Sequence, residues 1–259
     1  MSDHIHKKNL GQNWLIDKTV IQDIITAADL TRNDTVVEIG PGEGALTKSL
    51  LATGSNVIAV EKDRDLIDGL KTKFDQYDNF TLIQADVRDL DLMSLLPKNY
   101  KLIANIPYYI TGLIIRMFLE AHQQPQEMIL LMQREVADRI IATDHKESLL
   151  SLSVKVYGQP TKIRNVKAGA FRPIPSVDSA VIRISDISRS RFVDNNVNET
   201  RFFTIIRQAF NQKRKTLRKT LSDLVSFPAN SQLNSRRPES LTLDEWLEIM
   251  NFDQSNPHQ

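Results

Sequence analysis

The chain has no cysteine, and this absence excludes several kinds of chemistry. Disulfides, thiolate zinc sites, iron–sulfur clusters and a cysteine nucleophile all require that residue. No run approaches the roughly 18 consecutive apolar residues of a membrane span. The opening residues, MSDHIHKKNLGQ, lack the apolar segment of a secretory signal. The five histidines form no cluster with acidic residues at a metal-binding spacing. We therefore expect a cytoplasmic protein without a metal.

Net charge is also nearly absent, at +1 over 259 residues, but the charges are unevenly distributed. Residues 155–219 contain 15 Lys/Arg and only 4 Asp/Glu, whereas residues 1–154 contain 16 Lys/Arg and 22 Asp/Glu. Concentrated positive charge favours contact with a polyanion, and nucleic acid is the first candidate. The alternative is a basic face that only keeps the protein soluble, and charge alone leaves both open.

The first two thirds of the chain alternate between short β-branched runs and amphipathic segments. Strands are predicted at residues 35–40, 56–61, 80–86, 101–108, 127–133, 151–158 and 179–185. Helices are predicted at residues 45–53, 64–74, 112–121 and 134–142. Strands spaced by helices predict an α/β fold with a parallel sheet covered on both faces. The last two strands are joined by a basic, proline-containing loop, which indicates an antiparallel element at one edge.

The pattern changes after residue 185. Residues 185–198 are polar and are typical of a linker, and only helical patterns follow from residue 199. The sequence therefore predicts a first domain over residues 1–190 and a small helical second domain over residues 191–259.

Three successive predicted strands end in residues suited to an adenosine ligand. EIGPGEG ends the first with glycines at 40, 42 and 44, which allow a tight turn and close approach of a ligand to the backbone. Glu61 ends the second, where a carboxylate can accept hydrogen bonds from ribose hydroxyls, and Asp86 follows the third, where it can accept from an adenine amino group. A helix N-cap is the alternative for each acid alone. Their order favours an S-adenosylmethionine site over an NAD site.

The fourth of these strands leads into Asn105-Ile106-Pro107-Tyr108. This N-x-P-Y motif is found in enzymes that methylate an exocyclic amine conjugated to a ring, as in adenine. The lone pair of such an amine is delocalised, and acceptors for its two N–H groups restore its nucleophilicity. The Asn105 side-chain oxygen and the Ile106 carbonyl supply two acceptors, while Pro107 stiffens the turn and Tyr108 offers a stacking face. A bystander Asn-Pro turn is the alternative.

Eight segments resemble, in order, the KsgA-type ribosomal RNA adenine dimethyltransferases. They are KKNLGQNWLID (7–17), EIGPGEGALT (38–47), VIAVEKD (57–63), QADVRDL (84–90), ANIPYYIT (104–111), MQREVADRI (132–140), FRPIPSVDSAVIRI (171–184) and FNQKRKTLRKTL (210–221). The resemblance implies a Rossmann-like methyltransferase domain with a helical C-terminal domain. It also implies S-adenosylmethionine as cofactor and dimethylation of two adjacent adenines near the 3′ end of 16S ribosomal RNA, in the small subunit or its precursor.

The resemblance also assigns residues. Those implied to contact the cofactor are Asn13, Leu15, Gly40, Gly42, Glu61, Asp86 and Asn105. Those implied in catalysis are Asn105, Ile106, Pro107, Tyr108 and Phe171, with the last two rings on either side of the target base. Phe171 could instead be a core aromatic that anchors its loop. Those expected to contact RNA phosphates are Arg164, Lys167 and Arg172 near the pocket, and Lys213, Arg214, Lys215, Arg218 and Lys219 on a predicted helix.

Two departures from the family pattern and three alternatives remain. Gly112 stands where a small hydroxyl residue or proline is frequent, although Thr111 can still cap the helix, and Trp14 stands in place of phenylalanine. An erythromycin-resistance methyltransferase of large-subunit RNA would share the N-x-P-Y chemistry. A ribosome-assembly or transcription factor would keep the fold without catalysis, and a small-molecule methyltransferase would leave the basic block without a purpose. We expect a monomer.

Overall fold

A computed structural model describes residues 13–89, 96–212 and 214–252. Its strands are β1 (Trp14–Leu15), β2 (Thr35–Ile39), β3 (Asn56–Glu61), β4 (Phe80–Gln84), β5 (Lys101–Asn105), β6 (Glu127–Gln133), β7 (Gln159–Val166), β8 (Phe171–Arg172) and β9 (Ser179–Ser185). Its helices are α1 (Lys18–Ala28), α2 (Ala45–Ala52), α3 (Arg64–Phe74), α4 (Thr111–Glu120), α5 (Arg134–Ile141), α6 (Leu149–Lys155), α7 (Ser190–Asp194), α8 (Glu199–Phe210), α9 (Leu217–Thr220) and α10 (Leu243–Asn251).

Seven strands form one sheet in the order β4-β3-β2-β5-β6-β9-β7. The strands from β4 to β6 in this order pair in parallel, and β9 is antiparallel to β6. Strands β1 and β8 form a separate antiparallel pair. The order reverses between β2 and β5, and ligands of such sheets bind outside the carboxyl ends of the strands at that point. The predicted Rossmann-like α/β fold is confirmed.

The core is built from β-branched strand residues and one face of each covering helix. Val36 of β2 and Ile103 of β5 are fully buried, as expected for parallel strands covered on both sides. Helix α1 begins after Asp17, whose carboxylate accepts hydrogen bonds from the backbone N–H groups of Thr19 and Val20. The buried residues of α1 recur at helical spacing, and they join the same core as β2 and β5.

The prediction of a strand over residues 151–158 is wrong, because this segment lies mainly in helix α6. The alternation in SLSVKVYG favours a strand, but a capping box between Ser148 and Ser151 satisfies the first N–H groups of a helix. The predicted basic loop that follows contains strand β7, the neighbour of β9 in the sheet. Tertiary pairing therefore overrides local polarity over residues 159–166.

The chain divides into two compact units. The first comprises residues 1–137 and 160–187, and the second comprises residues 138–159 and 188–259. The later division falls close to the predicted boundary at residue 190, but residues 138–159 belong to the second unit although the sequence placed them in the first. In the second unit, Phe192, Phe202 and Phe203 form an aromatic cluster with Tyr157, a residue of the 138–159 segment. Long-range aromatic packing therefore assigns this segment to the second unit.

Replacing Gly69 with alanine is expected to raise the free energy of unfolding by about 0.5–1 kcal/mol. Gly69 lies exposed within α3, and an added Cβ would meet nothing within 4 Å. The gain comes from the lower entropy of the unfolded chain, and urea unfolding measures it. Gly44→Ala is the contrasting variant and is expected to be destabilised, because Gly44 has a φ of +76° and its Cβ would lie 2.5 Å from the Phe74 ring. A loss of stability in Gly69→Ala would contradict the prediction.

Candidate active site

An open cavity lies at the carboxyl ends of β2, β3, β4 and β5, where ligands of such sheets bind. Its lining residues are Asn13, Trp14, Ile39, Gly40, Gly42, Val60, Glu61, Lys62, Ala85, Asp86, Val87, Asn105, Ile106, Pro107, Tyr108, Tyr109 and Ile110. The structure thus gathers the glycine turn, Glu61, Asp86 and the N-I-P-Y segment around one space.

The glycine turn contributes backbone that other residues could not supply. Gly40 and Gly42 have φ values of +68° and +58°, in the left-handed region that glycine tolerates without strain. A Cβ on Gly42 would lie 2.9 Å from the Trp14 ring, so the indole packs directly on this turn. A Cβ on Gly40 would meet nothing within 4 Å. A ligand can therefore approach the Gly40 backbone from the cavity.

Glu61 connects the glycine turn to the end of β3. Its Oε2 accepts a hydrogen bond from the Gly42 N–H at 3.2 Å, and its Oε1 accepts from the Asp63 N–H at 2.7 Å. Burial raises the pKa of this carboxyl, an effect that the backbone N–H groups oppose. Each carboxylate oxygen can accept a second hydrogen bond. Glu61 therefore remains suited to accept hydrogen bonds from two hydroxyl groups.

Asp86 lines the cavity, but its carboxylate also binds two cations. The Arg88 guanidinium donates to both oxygens, and Lys62 Nζ lies 2.8 Å from Oδ2. The hydrogen bonds from Arg88 and Lys62 hold the pKa of Asp86 well below its usual range. The group is an ionised acceptor, as an adenine amino group would need, but such a ligand would share it with Lys62 and Arg88. The sequence did not indicate either cation.

Glu38 lies beneath the glycine turn and is almost completely buried. Its Oε2 accepts a hydrogen bond from the Thr47 hydroxyl at 2.7 Å. Burial raises the pKa of Glu38 to about 8, and the nearby Glu61 carboxylate adds to the effect. At neutral pH the side chain is therefore predominantly protonated, and it contributes a neutral hydrogen-bonded group to the floor of the turn.

The Glu38→Gln variant is expected to be more stable than the wild type at alkaline pH and to lose this advantage in acid. Unfolded glutamate titrates near 4.5, so the folded chain holds an extra proton between that value and pH 8. The stability that the wild type gains from the protonated Glu38 is fully present below pH 4.5. It is lost as pH rises toward 8, by up to about 1.4 kcal/mol per pH unit. Urea unfolding of both proteins between pH 5 and pH 9 measures the difference.

The control for this series is Glu43→Gln, which changes an exposed glutamate of the same turn. A stability difference between Glu38→Gln and wild type that stays constant across the pH range would contradict the prediction.

Asn105 ends β5 at the edge of the cavity, and a backbone group fixes its side-chain amide. Its Nδ2 donates a hydrogen bond to the Asn13 carbonyl at 2.9 Å. Because the nitrogen is used in this way, Oδ1 is left as a hydrogen-bond acceptor. The Ile106 N–H donates to the Leu131 carbonyl, and the Pro107 carbonyl accepts from the Ile110 N–H. The start of the N-I-P-Y segment is therefore held at several points.

Tyr108 opens a 3-10 turn over Tyr108–Ile110 and lines the cavity. Its hydroxyl lies 2.7 Å from the Ser179 Oγ. The Thr111 hydroxyl donates to the Tyr108 carbonyl at 3.3 Å, so threonine secures this turn as it leads into α4. Gly112 lies in the first turn of that helix without a positive φ. The departure from the family pattern at Gly112 therefore does not disturb the start of α4.

Two residues that the resemblance assigned to the site lie elsewhere. Phe171 is completely buried in the core of the first unit, and Leu15 is 4% exposed in the same core. The two face each other in the antiparallel pair of β1 and β8, and neither lines the cavity. The Phe171 ring therefore presents no open face to a base, which corrects the expectation that it and Tyr108 enclose the target. The core-anchoring alternative describes its position.

Sequence reasoning missed several residues that line the cavity. Trp14 was noted only as a departure, yet its indole covers Gly42. Lys62 and Tyr109 had no assigned role, although each directly follows an assigned residue, Glu61 or Tyr108. Such adjacency at the end of a strand or in a tight turn is the signal that could have identified them.

The three basic residues expected near the pocket have different surroundings. Arg164 forms an ion pair with Asp23 at 2.5 Å and donates to Thr19, so its guanidinium already has protein partners. Lys167 lies 3.1 Å from Asp178 but its side chain is 84% exposed. Arg172 is exposed on β8. Lys167 and Arg172 are therefore accessible to a phosphate, whereas Arg164 would have to exchange partners.

Of the basic residues predicted on a helix, Arg218 and Lys219 lie on one, whereas Arg214 and Lys215 precede it, and this corrects the prediction. Helix α8 ends at Phe210, and the short helix α9 begins only at Leu217, whose N–H donates to the Arg236 carbonyl. This tertiary hydrogen bond holds the first residue of α9 in place. Four exposed cations of this region form what we call the basic cluster: Arg214, Lys215, Arg218 and Lys219. The first two lie in the turn before α9, and the last two lie on α9. Lys213 lies outside the described residues.

Two kinds of feature are absent from the described residues. Over residues 13–89, 96–212 and 214–252, no helix is long and apolar enough to cross a bilayer. Within those same ranges, no three His, Asp or Glu side chains come together as a group able to hold a metal ion.

Comparisons with known proteins agree with one another. The ribosomal RNA adenine dimethylase family matches residues 3–253. A ribosomal RNA small subunit methyltransferase A of Dehalococcoides mccartyi is 42% identical over 97% of this chain and 89% of its own length. One of Clostridium botulinum is 39% identical over 92% of this chain and 90% of its own length. A dimethyladenosine transferase structure from Plasmodium falciparum superposes with a TM-score of 0.78 at 25% identity over 91% of this chain and 95% of its own. The 23S rRNA methyltransferase ErmE shares the fold, with a TM-score of 0.73 at 22% identity over 92% and 99%.

Proposed function

The chain belongs to the ribosomal RNA adenine dimethylase family, and from this premise we propose that it transfers methyl groups from S-adenosylmethionine to the N6 amines of adenines in small-subunit ribosomal RNA. The observation on which the proposal chiefly depends is the Asn105 amide. Its nitrogen is bound to the Asn13 carbonyl, which leaves its oxygen as an acceptor beside the cavity. An amine with a delocalised lone pair needs such an acceptor at the reacting atom.

The cavity fits S-adenosylmethionine by the chemistry of its walls. Gly40 leaves open space over its backbone, which would admit the methionine part. Glu61 offers carboxylate oxygens to the ribose hydroxyls, and Asp86 offers an ionised acceptor to the adenine amino group. Val60 and Val87 supply apolar surface for the base. When bound, this cofactor supplies an electrophilic methyl group on a sulfonium, which is an excellent leaving group.

The residues of the N-I-P-Y segment would prepare the attacking amine. The Asn105 Oδ1 and the Ile106 carbonyl accept hydrogen bonds from the two N–H groups, which favours pyramidal nitrogen and concentrates its lone pair. Both acceptors are neutral, and this suffices because the amine becomes acidic only as it attacks. The Tyr108 ring provides a stacking surface for a base taken out of its helix or presented by a loop. After the first transfer, the remaining N–H can be held in the same way for a second.

The exposed cations support ribosomal RNA as the substrate. Residues 201–221 contain seven Lys/Arg and no acidic residue, and the basic cluster in this segment is exposed. Contacts of this kind bind phosphates and position RNA without reading its sequence. The finer part of the proposal is that two adjacent adenines near the 3′ end of 16S RNA are dimethylated, in the small subunit or its precursor, with a role in ribosome assembly.

A methylation assay on purified subunits tests this function. Labelled S-adenosylmethionine is incubated with the full-length protein and either small or large subunits from a strain that lacks the modification, and the labelled nucleotides are mapped. Label on two adjacent adenines of small-subunit RNA is expected. Label confined to large-subunit RNA would identify the activity of the erythromycin-resistance type instead. The relatives named for the small subunit favour the first outcome. The fold similarity to ErmE does not distinguish the two outcomes, because both kinds of enzyme share this fold.

A further inference from the structure

A buried hydroxyl lies behind the cavity wall and has no part in the function proposed above. Ser179 is the first residue of β9 and is completely buried. Its Oγ lies 2.7 Å from the hydroxyl of Tyr108, the ring of which lines the cavity. A buried hydroxyl group is costly to leave without a partner, so this contact is maintained wherever the two residues stay in place.

The backbone around Ser179 is firmly anchored. Ser179 pairs with Gln133 in the antiparallel register of β6 and β9. The preceding residue, Asp178, accepts a hydrogen bond from the Arg134 N–H through its carbonyl and another from the Ala168 N–H through its side chain. Ser179 therefore offers a hydroxyl at a fixed position in the sheet.

Tyr108 is held at its other end as well. The Thr111 hydroxyl donates to the Tyr108 carbonyl, and Pro107 before it restricts the backbone of the turn. Burial raises the pKa of the phenol, so the hydroxyl stays neutral and can donate or accept. With the backbone and the hydroxyl both held, the direction of the long axis of the ring is fixed.

We propose that Ser179 is a positioning residue that fixes the long axis of the Tyr108 ring and thereby where a target base can stack beside Asn105. The proposal rests on the proposed function, since it assumes that the Tyr108 face receives the base. Ser179 itself does not line the cavity. Its effect would be on turnover of bound substrate, because a displaced base presents its amine poorly to the acceptors.

Three variants form a cycle that tests this pair: Ser179→Ala, Tyr108→Phe and the double variant. Each single change is expected to lower kcat for methylation of small subunits by roughly tenfold, and the double change by no more than either alone, because both remove the same hydrogen bond. The dissociation constant for S-adenosylmethionine is expected to stay within about twofold of wild type. Ser179→Thr keeps the hydroxyl and is expected to restore most of the turnover.

Ser185→Ala serves as the matched control, since it removes a hydroxyl at the other end of β9 that contacts Asp186. Circular dichroism and cofactor binding verify that each variant is folded, and Tyr108→Phe keeps the test decisive if Ser179→Ala fails to fold. Turnover at the wild-type level in both single variants, or strictly additive losses, would overturn the positioning role. A wild-type protein that leaves small subunits unmethylated would instead overturn the proposed function, whatever the variants do.

Discussion

Asn105→Ala is expected to lower the rate of methyl transfer by at least about 10²–10³-fold, comparable with the loss of one preorganised hydrogen-bond partner of a transition state. The alanine side chain offers no acceptor to the amine, whereas the exposed cations that we propose to contact RNA are unchanged. Single-turnover transfer of labelled methyl groups to small subunits measures the rate, and filter binding measures RNA affinity, which should match wild type.

Asn195→Ala is the control for this change, because it removes an exposed asparagine amide that donates to the Arg191 carbonyl, outside the cavity. Retention of wild-type transfer in Asn105→Ala would remove the main support for the proposed chemistry. If wild type and variant both bind precursor particles and neither methylates them, the protein is an assembly factor that keeps the fold without the reaction.

Neutralising the basic cluster is expected to have the second large effect, with the RNA dissociation constant rising by about 100-fold at moderate salt. The variant changes all four cations of the cluster to glutamine. Each phosphate contact adds about 0.7–0.9 to the slope of log affinity against log salt, so the slope should fall by about 3. Cofactor affinity should not change, since no residue of the cluster lines the cavity. Titrations of small-subunit RNA at several salt concentrations provide both quantities.

A control variant that loses four positive charges elsewhere distinguishes the effect of the basic cluster from the effect of net charge. It replaces four exposed cations of the first unit with glutamine: Lys48, Arg64, Lys71 and Lys98. This variant is expected to keep RNA affinity within a few-fold of wild type. Equal losses in the two variants would show that overall charge, and not the position of the cluster, determines binding.

Some residues of the candidate site were predictable from the sequence, because they follow directly from the ends of parallel strands. Carboxyl ends of parallel strands meet at one edge of a sheet, so Glu61, Asp86 and Asn105 had to lie near the glycine turn once their strands were identified. Strand periodicity located those strands with errors of at most three residues at their ends.

Other features depended on contacts between distant parts of the chain. Phe171 is buried because β8 pairs with β1, which places it opposite Leu15, 156 residues earlier in the sequence. The helix expected to carry Arg214 and Lys215 begins only at Leu217, whose N–H donates to the distant Arg236 carbonyl. Local patterns contain no information on such partners, and they also gave no sign that Lys62 and Arg88 would both bind Asp86.

The dipeptide Asn13-Trp14, which leads into β1, makes two contacts whose consequence is thermodynamic. The Trp14 indole packs on Gly42 of the glycine turn, while the adjacent Asn13 carbonyl orients the Asn105 amide. A ligand that orders the glycine turn also restrains the dipeptide that orients the acceptor for the target amine. We therefore expect loading of the cofactor and capture of the base to be energetically coupled, and such coupling is reciprocal. Bound RNA should raise the affinity for the cofactor by the same factor as the cofactor raises the affinity for RNA.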